Sequence, residues 1–176
     1  MIAMEEELHA LDANGTWTIE EVPPKRKVLK NKWVFKTKLN KDGFVERFKA
    51  RLTVCGYGQK PGIDYEEISA PVLKFESLRA ILALAVYHKM RVDHMDVVTA
   101  FLNPEIDKVI YMEFPDGYNG EEILPGQALK LLKGLYGLKQ AAWLWNCTMH
   151  KFLVFKLRFE QCENDKCVYK IGRAHV

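Results

Sequence analysis

Two runs alternating with a period of two, joined by a tight-turn signal, restrict this chain more than any other feature. From Lys32 to Leu39, Trp33, Phe35, Thr37 and Leu39 interleave with Lys32, Val34, Lys36 and Lys38; Lys41-Asp42-Gly43 supplies a turn, and Val45 to Cys55 returns. A period of two puts alternate side chains on opposite faces of a strand, so the segment reads as a β-hairpin with one mostly basic and one mostly apolar face. Residues 25–60 hold twelve Lys/Arg against Asp42 and Glu46, a balance of +10 inside a chain of net charge +3, which leaves −7 for the rest. Trp33, Phe35, Phe44, Phe48 and Tyr57 lie among those cations. Basic charge interleaved with aromatics suits a phosphate backbone and stacked bases, and the alternative is a solvated hairpin whose lysines keep an edge soluble.

With 176 residues, 48% of them hydrophobic, the chain can bury one ordinary core or two small lobes. No apolar run approaches the ~18 to 20 residues of a membrane span, and the acidic opening Met1-Ile2-Ala3-Met4-Glu5-Glu6-Glu7 is the reverse of a secretory signal, so an intracellular, unsecreted protein is expected. In that setting Cys55, Cys147, Cys162 and Cys167 are expected as reduced thiols.

Along the chain, Met4–Leu11 reads as a short amphipathic helix and Thr16–Val22 as extended, ended by Pro23-Pro24. Gly56-Tyr57-Gly58-Gln59-Lys60-Pro61-Gly62 breaks the chain after the hairpin. Leu78, Ile81, Leu82, Ala85 and Val86 then recur at helical spacing, a stripe expected to be core. Arg91–Val98 reads as a mostly buried strand, Val109–Phe114 as another, Glu121–Gly126 as a surface loop, and Ala141 to about Leu157 as a long helix. That mixture suits an α+β fold with helices on one face of a sheet. Within the expected strand, Asp96 is flanked by Met95 and Val97, and a carboxylate is costly to bury unless a cation or hydrogen bonds answer it.

An ordered set of motifs carries a resemblance: Asn14-Gly15-Thr16-Trp17, Lys32-Trp33-Val34-Phe35-Lys36, Phe48-Lys49-Ala50-Arg51-Leu52, Gly62-Ile63-Asp64-Tyr65, Met95-Asp96-Val97, Thr99-Ala100-Phe101-Leu102-Asn103, Ile110-Tyr111-Met112 and Leu135-Tyr136-Gly137-Leu138-Lys139-Gln140. The chain resembles the reverse transcriptase of copia-type long-terminal-repeat retrotransposons, over the fingers and the first part of the palm. The resemblance implies right-hand polymerase architecture with an antiparallel sheet: residues 1–90 as N-terminal extension and fingers, 91–170 as partial palm. It also implies RNA-directed DNA synthesis, in which two Mg²⁺ (or Mn²⁺) ions assist attack of a primer hydroxyl on a deoxynucleoside triphosphate. The implied partners are an RNA template, a DNA primer, deoxynucleoside triphosphates and the protease, integrase and RNase H of a Pol polyprotein. The implied setting is the cytoplasm or a virus-like particle.

Residue by residue, the resemblance makes Asp96 the first metal-binding, catalytic aspartate, a hard-oxygen donor of the type Mg²⁺ takes. Lys49 and Arg51, two apart on one strand face, are implied to reach the triphosphate, Arg51 as a bidentate grip. Phe101 matches the bulky position that excludes a ribose 2′-hydroxyl, with a plain core phenylalanine as the alternative. Tyr136 and Gly137 are implied to lie at the nascent base pair, and Lys36, Lys38 and Lys139 to face nucleic-acid phosphate. Asp93 is expected to face solvent.

Several positions depart from the family pattern. The Tyr-x-Asp-Asp hairpin that would bring two further aspartates is absent, and no adjacent Asp-Asp pair occurs in the chain, so the polypeptide by itself is expected to be inactive and to bind metal weakly. Ile68-Ser69 replace Thr-Phe, Pro104 a glycine, Cys55 a lysine, and Ala141-Ala142-Trp143 replace Ser-Pro-Arg, removing two implied phosphate contacts. Ile171–Val176 does not continue an apolar strand. One back-translation of it, ATC GGA AGA GCA CAC GTC, resembles a sequencing adapter, so residues 171–176 are expected to be non-native. Three other readings stand beside the polymerase: a non-catalytic remnant of the element whose basic fingers bind nucleic acid, a zinc module from Cys147, His150, Cys162 and Cys167, and a dinucleotide loop at Gly56, Gly58 and Gly62, whose spacing misses the fingerprint and which Pro61 interrupts.

Overall fold

The computed structural model of the chain describes residues 2–120 and 122–172. It begins with helix α1 (Ile2–Ala13), whose end is written in Asn14-Gly15-Thr16. Gly15 takes φ +59°, and the backbone N–H of Thr16 turns back to the Leu11 carbonyl at 3.1 Å, with the Thr16 hydroxyl donating to the same oxygen at 2.6 Å. A left-handed residue past the last turn is the usual way for a helix to satisfy its final carbonyls. The chain leaves directly into β1 (Trp17–Glu21) and, after Pro23-Pro24, into the two-residue β2 (Val28–Leu29).

The expected hairpin forms from β3 (Asn31–Leu39) and β4 (Val45–Val54), paired antiparallel from Asn31↔Val54 to Leu39↔Val45. At its tip the Asn40 side chain accepts the backbone N–H groups of Asp42 and Phe44, both at 3.0 Å, and Gly43 supplies φ +84°. Helix α2 (Phe75–Tyr87) follows a long loop; β5 (Tyr111–Met112) and β6 (Gln127–Leu131) come next. Helix α3 (Ala141–Lys151) continues as a π-helical turn, Phe152–Lys156, and a small hairpin of β7 (Phe159–Gln161) and β8 (Tyr169–Ile171) closes the described chain.

The fold is α+β, as expected, with a mixed sheet in place of a purely antiparallel one. Its four-stranded sheet has the order β1-β6-β5-β2, in which β1–β6 and β6–β5 are antiparallel and β2–β5 is parallel. Leu8 and Leu11 of α1 pack over Trp17, Leu29, Leu52, Val54, Met112, Leu129 and Leu131, so one core joins the sheet, the first helix and the root of the hairpin. The hairpin root is further fixed by Trp33 Nε1 donating to the Asp116 carbonyl at 3.0 Å and by Asn31 Nδ2 donating to the Glu113 carbonyl at 2.7 Å.

Two readings of the sequence are corrected. Arg91–Val98 forms no strand: none of the described strands pairs with it, and Val92, Met95, Asp96 and Val98 are exposed. An apolar run specifies a side-chain pattern, but a strand also needs a neighbour to take its N–H and C=O groups. The α2 stripe is not core: Leu78, Ile81, Leu82 and Val86 are exposed and Ala85 alone is buried in that helix. The helix is tied at its start, where Asp165 Oδ2 accepts the Lys74 N–H at 3.0 Å, so its apolar face is not turned onto the cluster around Leu11. The expected loop through Gly126 is a loop over its described residues 122–126, and it leads into β6, the strand that joins β1 to β5, whose short Gln127-Ala128-Leu129-Lys130-Leu131 alternation the sequence reading did not separate. The expected non-native tail begins at Ile171, which pairs with Phe159 in β8, and residues 173–176 lie outside the described residues.

Candidate nucleotide and nucleic-acid site

The β3–β4 ladder sets cation against cation. Lys36 stands opposite Lys49, Lys38 opposite Arg47, and Val34 opposite Arg51. Directly opposed residues share a face, so Lys32, Lys36, Lys38, Arg47, Lys49 and Arg51 all project from one side of the hairpin. Like charges across a ladder are destabilising. Among the described residues no carboxylate forms a direct ion pair with any of them. The strain registers on Lys49, whose ammonium is pushed below the ordinary lysine range by burial first and then by Arg51 and Arg47.

At the root of that face, three aromatic and cationic groups from separate parts of the chain converge. The Arg51 guanidinium lies over the Tyr136 ring, 5.1 Å from its centroid, and the Phe101 ring meets Tyr136 edge-on with centroids 4.9 Å apart. Two glycines make this possible. A Cβ on Gly134 would stand 2.6 Å from the Phe101 carbonyl oxygen, and one on Gly137 would stand 2.1 Å from that of Val54. Gly137 also has φ +91°, a conformation that side chains resist. The Val54 N–H donates to the Tyr136 carbonyl at 2.8 Å, so the segment before α3 is stitched to the free edge of β4 and carries the Tyr136 ring beneath Arg51.

Behind this contact lies a buried amide network that the sequence reading did not find. Gln59 Nε2 donates to Gln140 Oε1 at 2.9 Å, Gln140 Nε2 donates to the Asp64 carbonyl at 2.8 Å, and the Lys139 N–H donates to Gln59 Oε1 at 2.8 Å. Asp64 in turn accepts the Lys60 N–H at 2.7 Å. The one signal available in advance was the pair of blocks Gly62-Ile63-Asp64-Tyr65 and Leu138-Lys139-Gln140; nothing local says that they meet.

The expected site residues thus divide. Arg51, Phe101, Tyr136 and Gly137 come together, with Lys49, Lys36 and Lys38 on the adjoining ladder. Lys139 is held elsewhere: its Nζ donates to the Tyr65 hydroxyl at 3.2 Å and rides 4.9 Å above that ring. Asp96 is exposed, on the strandless loop. Asp93, as expected, faces solvent, paired with Arg91 at 2.9 Å.

Among the described residues no group of three or more His, Cys, Asp or Glu side chains could hold a metal ion. That covers the zinc reading as well: His150 Nδ1 bonds the Tyr169 hydroxyl at 3.0 Å and all four cysteines are free thiols. Nor does Gly56-Tyr57-Gly58 open a phosphate-binding helix; it is one short 3-10 turn, packed so that a Cβ on Gly56 would stand 2.0 Å from the Gly137 carbonyl oxygen. No helix among the described residues is long and apolar enough to cross a membrane.

This cationic hairpin, with Arg51 over Tyr136 at its root, belongs to a chain whose family is shown by its similarity to known proteins. The family model described as reverse transcriptase (RNA-dependent DNA polymerase) matches residues 14–175, and the chain belongs to that family. It is 43% identical over 171 residues to the retrovirus-related Pol polyprotein of transposon TNT 1-94 from Nicotiana tabacum, covering 96% of this chain and 13% of that protein. With the corresponding polyprotein of transposon RE1 from Arabidopsis thaliana it shares 38% over 172 residues, 97% of the chain and 12% of the relative. The Gag-Pol polyprotein of transposon Ty1-BL from Saccharomyces cerevisiae is 26% identical over 165 residues, 94% of the chain and 9% of the relative. The chain therefore spans about an eighth of the length of the two plant relatives. No solved structure matches it.

Proposed function

We propose that this chain supplies the nucleotide-gripping fingers and the start of the palm of an RNA-directed DNA polymerase, with residues 1–90 as fingers and 91–170 as partial palm. The observation that carries the reading is the placement of Arg51: a planar, permanently charged fork, stacked on Tyr136 at the root of a ladder of cations that form no direct ion pair among the described residues. Arg51 and Lys49 receive the triphosphate of a deoxynucleotide, and Tyr136 and Phe101 form the apolar floor on which its sugar and base rest. Phe101, packed edge-on to Tyr136, is in this reading the ring that crowds a ribose 2′-hydroxyl. Lys36 and Lys38 hold the backbone of an RNA template or DNA primer, with exposed Phe35 and Phe48 on the opposite face offering rings to unpaired bases.

Asp96 is a hard-oxygen donor of the kind that Mg²⁺ or Mn²⁺ prefers. It stands alone, because the described residues assemble no donor set, and one carboxylate does not fit a two-ion centre. We assign Asp96 one metal-binding position. In the parent assembly, protease, integrase and RNase H segments of a Pol polyprotein accompany this chain, in the cytoplasm or a virus-like particle.

The isolated donor favours one second reading, a chain that binds nucleic acid without extending it. A titration of fluorescent primer–template and of a deoxynucleoside triphosphate, with primer extension run alongside, tests both. Binding of both ligands that collapses in Arg51→Ala supports the proposal. Equal binding by Arg51→Ala refutes it, and nucleic-acid binding without deoxynucleotide binding favours the second reading.

A further inference from the structure

The carboxylate of Glu7 occupies a position that neither the motifs nor the cation face explains. It projects from α1 to the free edge of β4, where Glu7 Oε1 accepts the backbone N–H of Leu52 at 3.3 Å, one residue beyond Arg51. That edge otherwise has its partner at Val54, whose N–H is taken by Tyr136. Glu7 is half-buried, whereas Glu5 and Glu6 beside it are exposed. A small cavity of about 110 Å³ opens next to it, with Glu6, Glu7, Arg47 and Lys49 in its wall.

We propose that Glu7 sets the anion affinity of the Lys49 and Arg51 pair: ionised, it weakens their hold on a triphosphate, and neutral, it strengthens it. The inference rests on the reading of Lys49 and Arg51 as a triphosphate site. Glu7 is close enough to act on both cations yet forms no direct ion pair with either, so it offsets their field without occupying their donors. The groups that face it are Lys49 and Arg51 of β4, with Arg47 and Lys38 alongside Lys49, and Glu6 on its own helix. Burial pushes the Glu7 carboxyl above the usual carboxylate range, against the opposing pull of the Leu52 N–H, Lys49 and Arg51. Its charge therefore switches nearer to neutral pH than that of an exposed glutamate.

The sign follows from charge. A bound polyanion disfavours a nearby carboxylate, so binding raises the Glu7 pKa, and by reciprocity protonating Glu7 tightens binding by the same factor. Glu7→Gln keeps an oxygen to accept the Leu52 N–H and removes the charge alone. Glu6→Gln removes one charge from the same helix at an exposed position.

Calorimetric titration of the full chain with inorganic triphosphate decides the matter. Glu7→Gln is expected to bind about threefold more tightly than wild type near pH 8, with the ratio falling towards one at a pH below the Glu7 pKa, while Glu6→Gln matches wild type. Comparing variants at each pH cancels the titration of the probe itself. Equal affinity of Glu7→Gln and wild type at both pH values overturns the proposal, as does equal tightening by Glu6→Gln. Carbon-detected NMR titration of the wild-type Glu7 carboxyl needs no variant: its pKa must rise on saturation with triphosphate, and an unmoved value overturns the inference. Arg51→Ala separates this proposal from its basis. If it leaves triphosphate binding intact, the site reading fails; if it weakens binding while Glu7→Gln changes nothing, the role of Glu7 alone fails.

Discussion

Gly137 approaches strand β4 so closely that a Cβ on it would lie 2.1 Å from the Val54 carbonyl oxygen. The same contact delivers the Val54 N–H to the Tyr136 carbonyl and so sets the distance between the hairpin and the aromatic floor. Gly137→Ala adds a methyl group where backbone stands and forces it into φ +91°. We expect a loss of about 2 kcal/mol or more, read as a lowered thermal midpoint, together with weakened triphosphate binding. An unchanged midpoint would show that the two segments part easily.

Tyr136 acts on Arg51 through its ring. Tyr136→Phe keeps the face over which the guanidinium sits and is expected to bind triphosphate as wild type does. Tyr136→Ala frees the Arg51 fork and is expected to weaken binding about fivefold, the size of one partly exposed cation–π contact. Comparable losses in both variants, by calorimetry, would point to the hydroxyl instead.

Gln140 is fully buried and holds both Gln59 and the Asp64 carbonyl. Gln140→Ala leaves those partners without their bonds inside the protein, a loss of about 1 to 3 kcal/mol in chemical denaturation. Gln140→Glu should be at least as harmful, since it replaces the amide donor facing the Asp64 carbonyl with an acceptor.

Nucleic-acid binding should be strongly salt-dependent. Lys36→Ala, on the exposed part of the ladder, is expected to lower the slope of log affinity against log salt by about 0.7 to 0.9 without changing sequence preference. A slope unchanged in this variant, measured by anisotropy, would remove Lys36 from the phosphate-binding set.

Asp165 ties the start of α2 to the β7–β8 turn. Its carboxyl lies below the usual range because the Ser77 hydroxyl, then the backbone N–H groups of Cys167 and Lys74, favour the charged form. A depressed carboxyl stabilises the fold fully above its unfolded value, near 3.8, and that stability is lost as pH falls through the lower folded value. The protection factors of the Lys74 and Cys167 amides against hydrogen exchange, corrected for the intrinsic rate at each pH, should therefore stay high at neutral pH and fall only in strong acid. In Asp165→Ala they should be low throughout.

The hairpin was legible because its information is local. A period-two pattern, a Lys-Asp-Gly tip and Pro23-Pro24 upstream are read within one stretch of chain, and the face on which Lys49 and Arg51 lie follows from counting. Family motifs extended that reach to Phe101 and Tyr136, whose meeting no local rule supplies.

By itself, then, the sequence determined the strands of the hairpin, the gathering of cations on one of its faces and the family to which the chain belongs. Tertiary structure alone decided that Tyr136 lies under Arg51, that Gly137 abuts Val54, that Glu7 reaches the edge of β4, and that Leu78, Ile81 and Val92–Val98 are exposed although their patterns read as core and strand. The physical reason is that periodicity states which side chains share a face, whereas burial and pairing depend on what another part of the chain brings to that face.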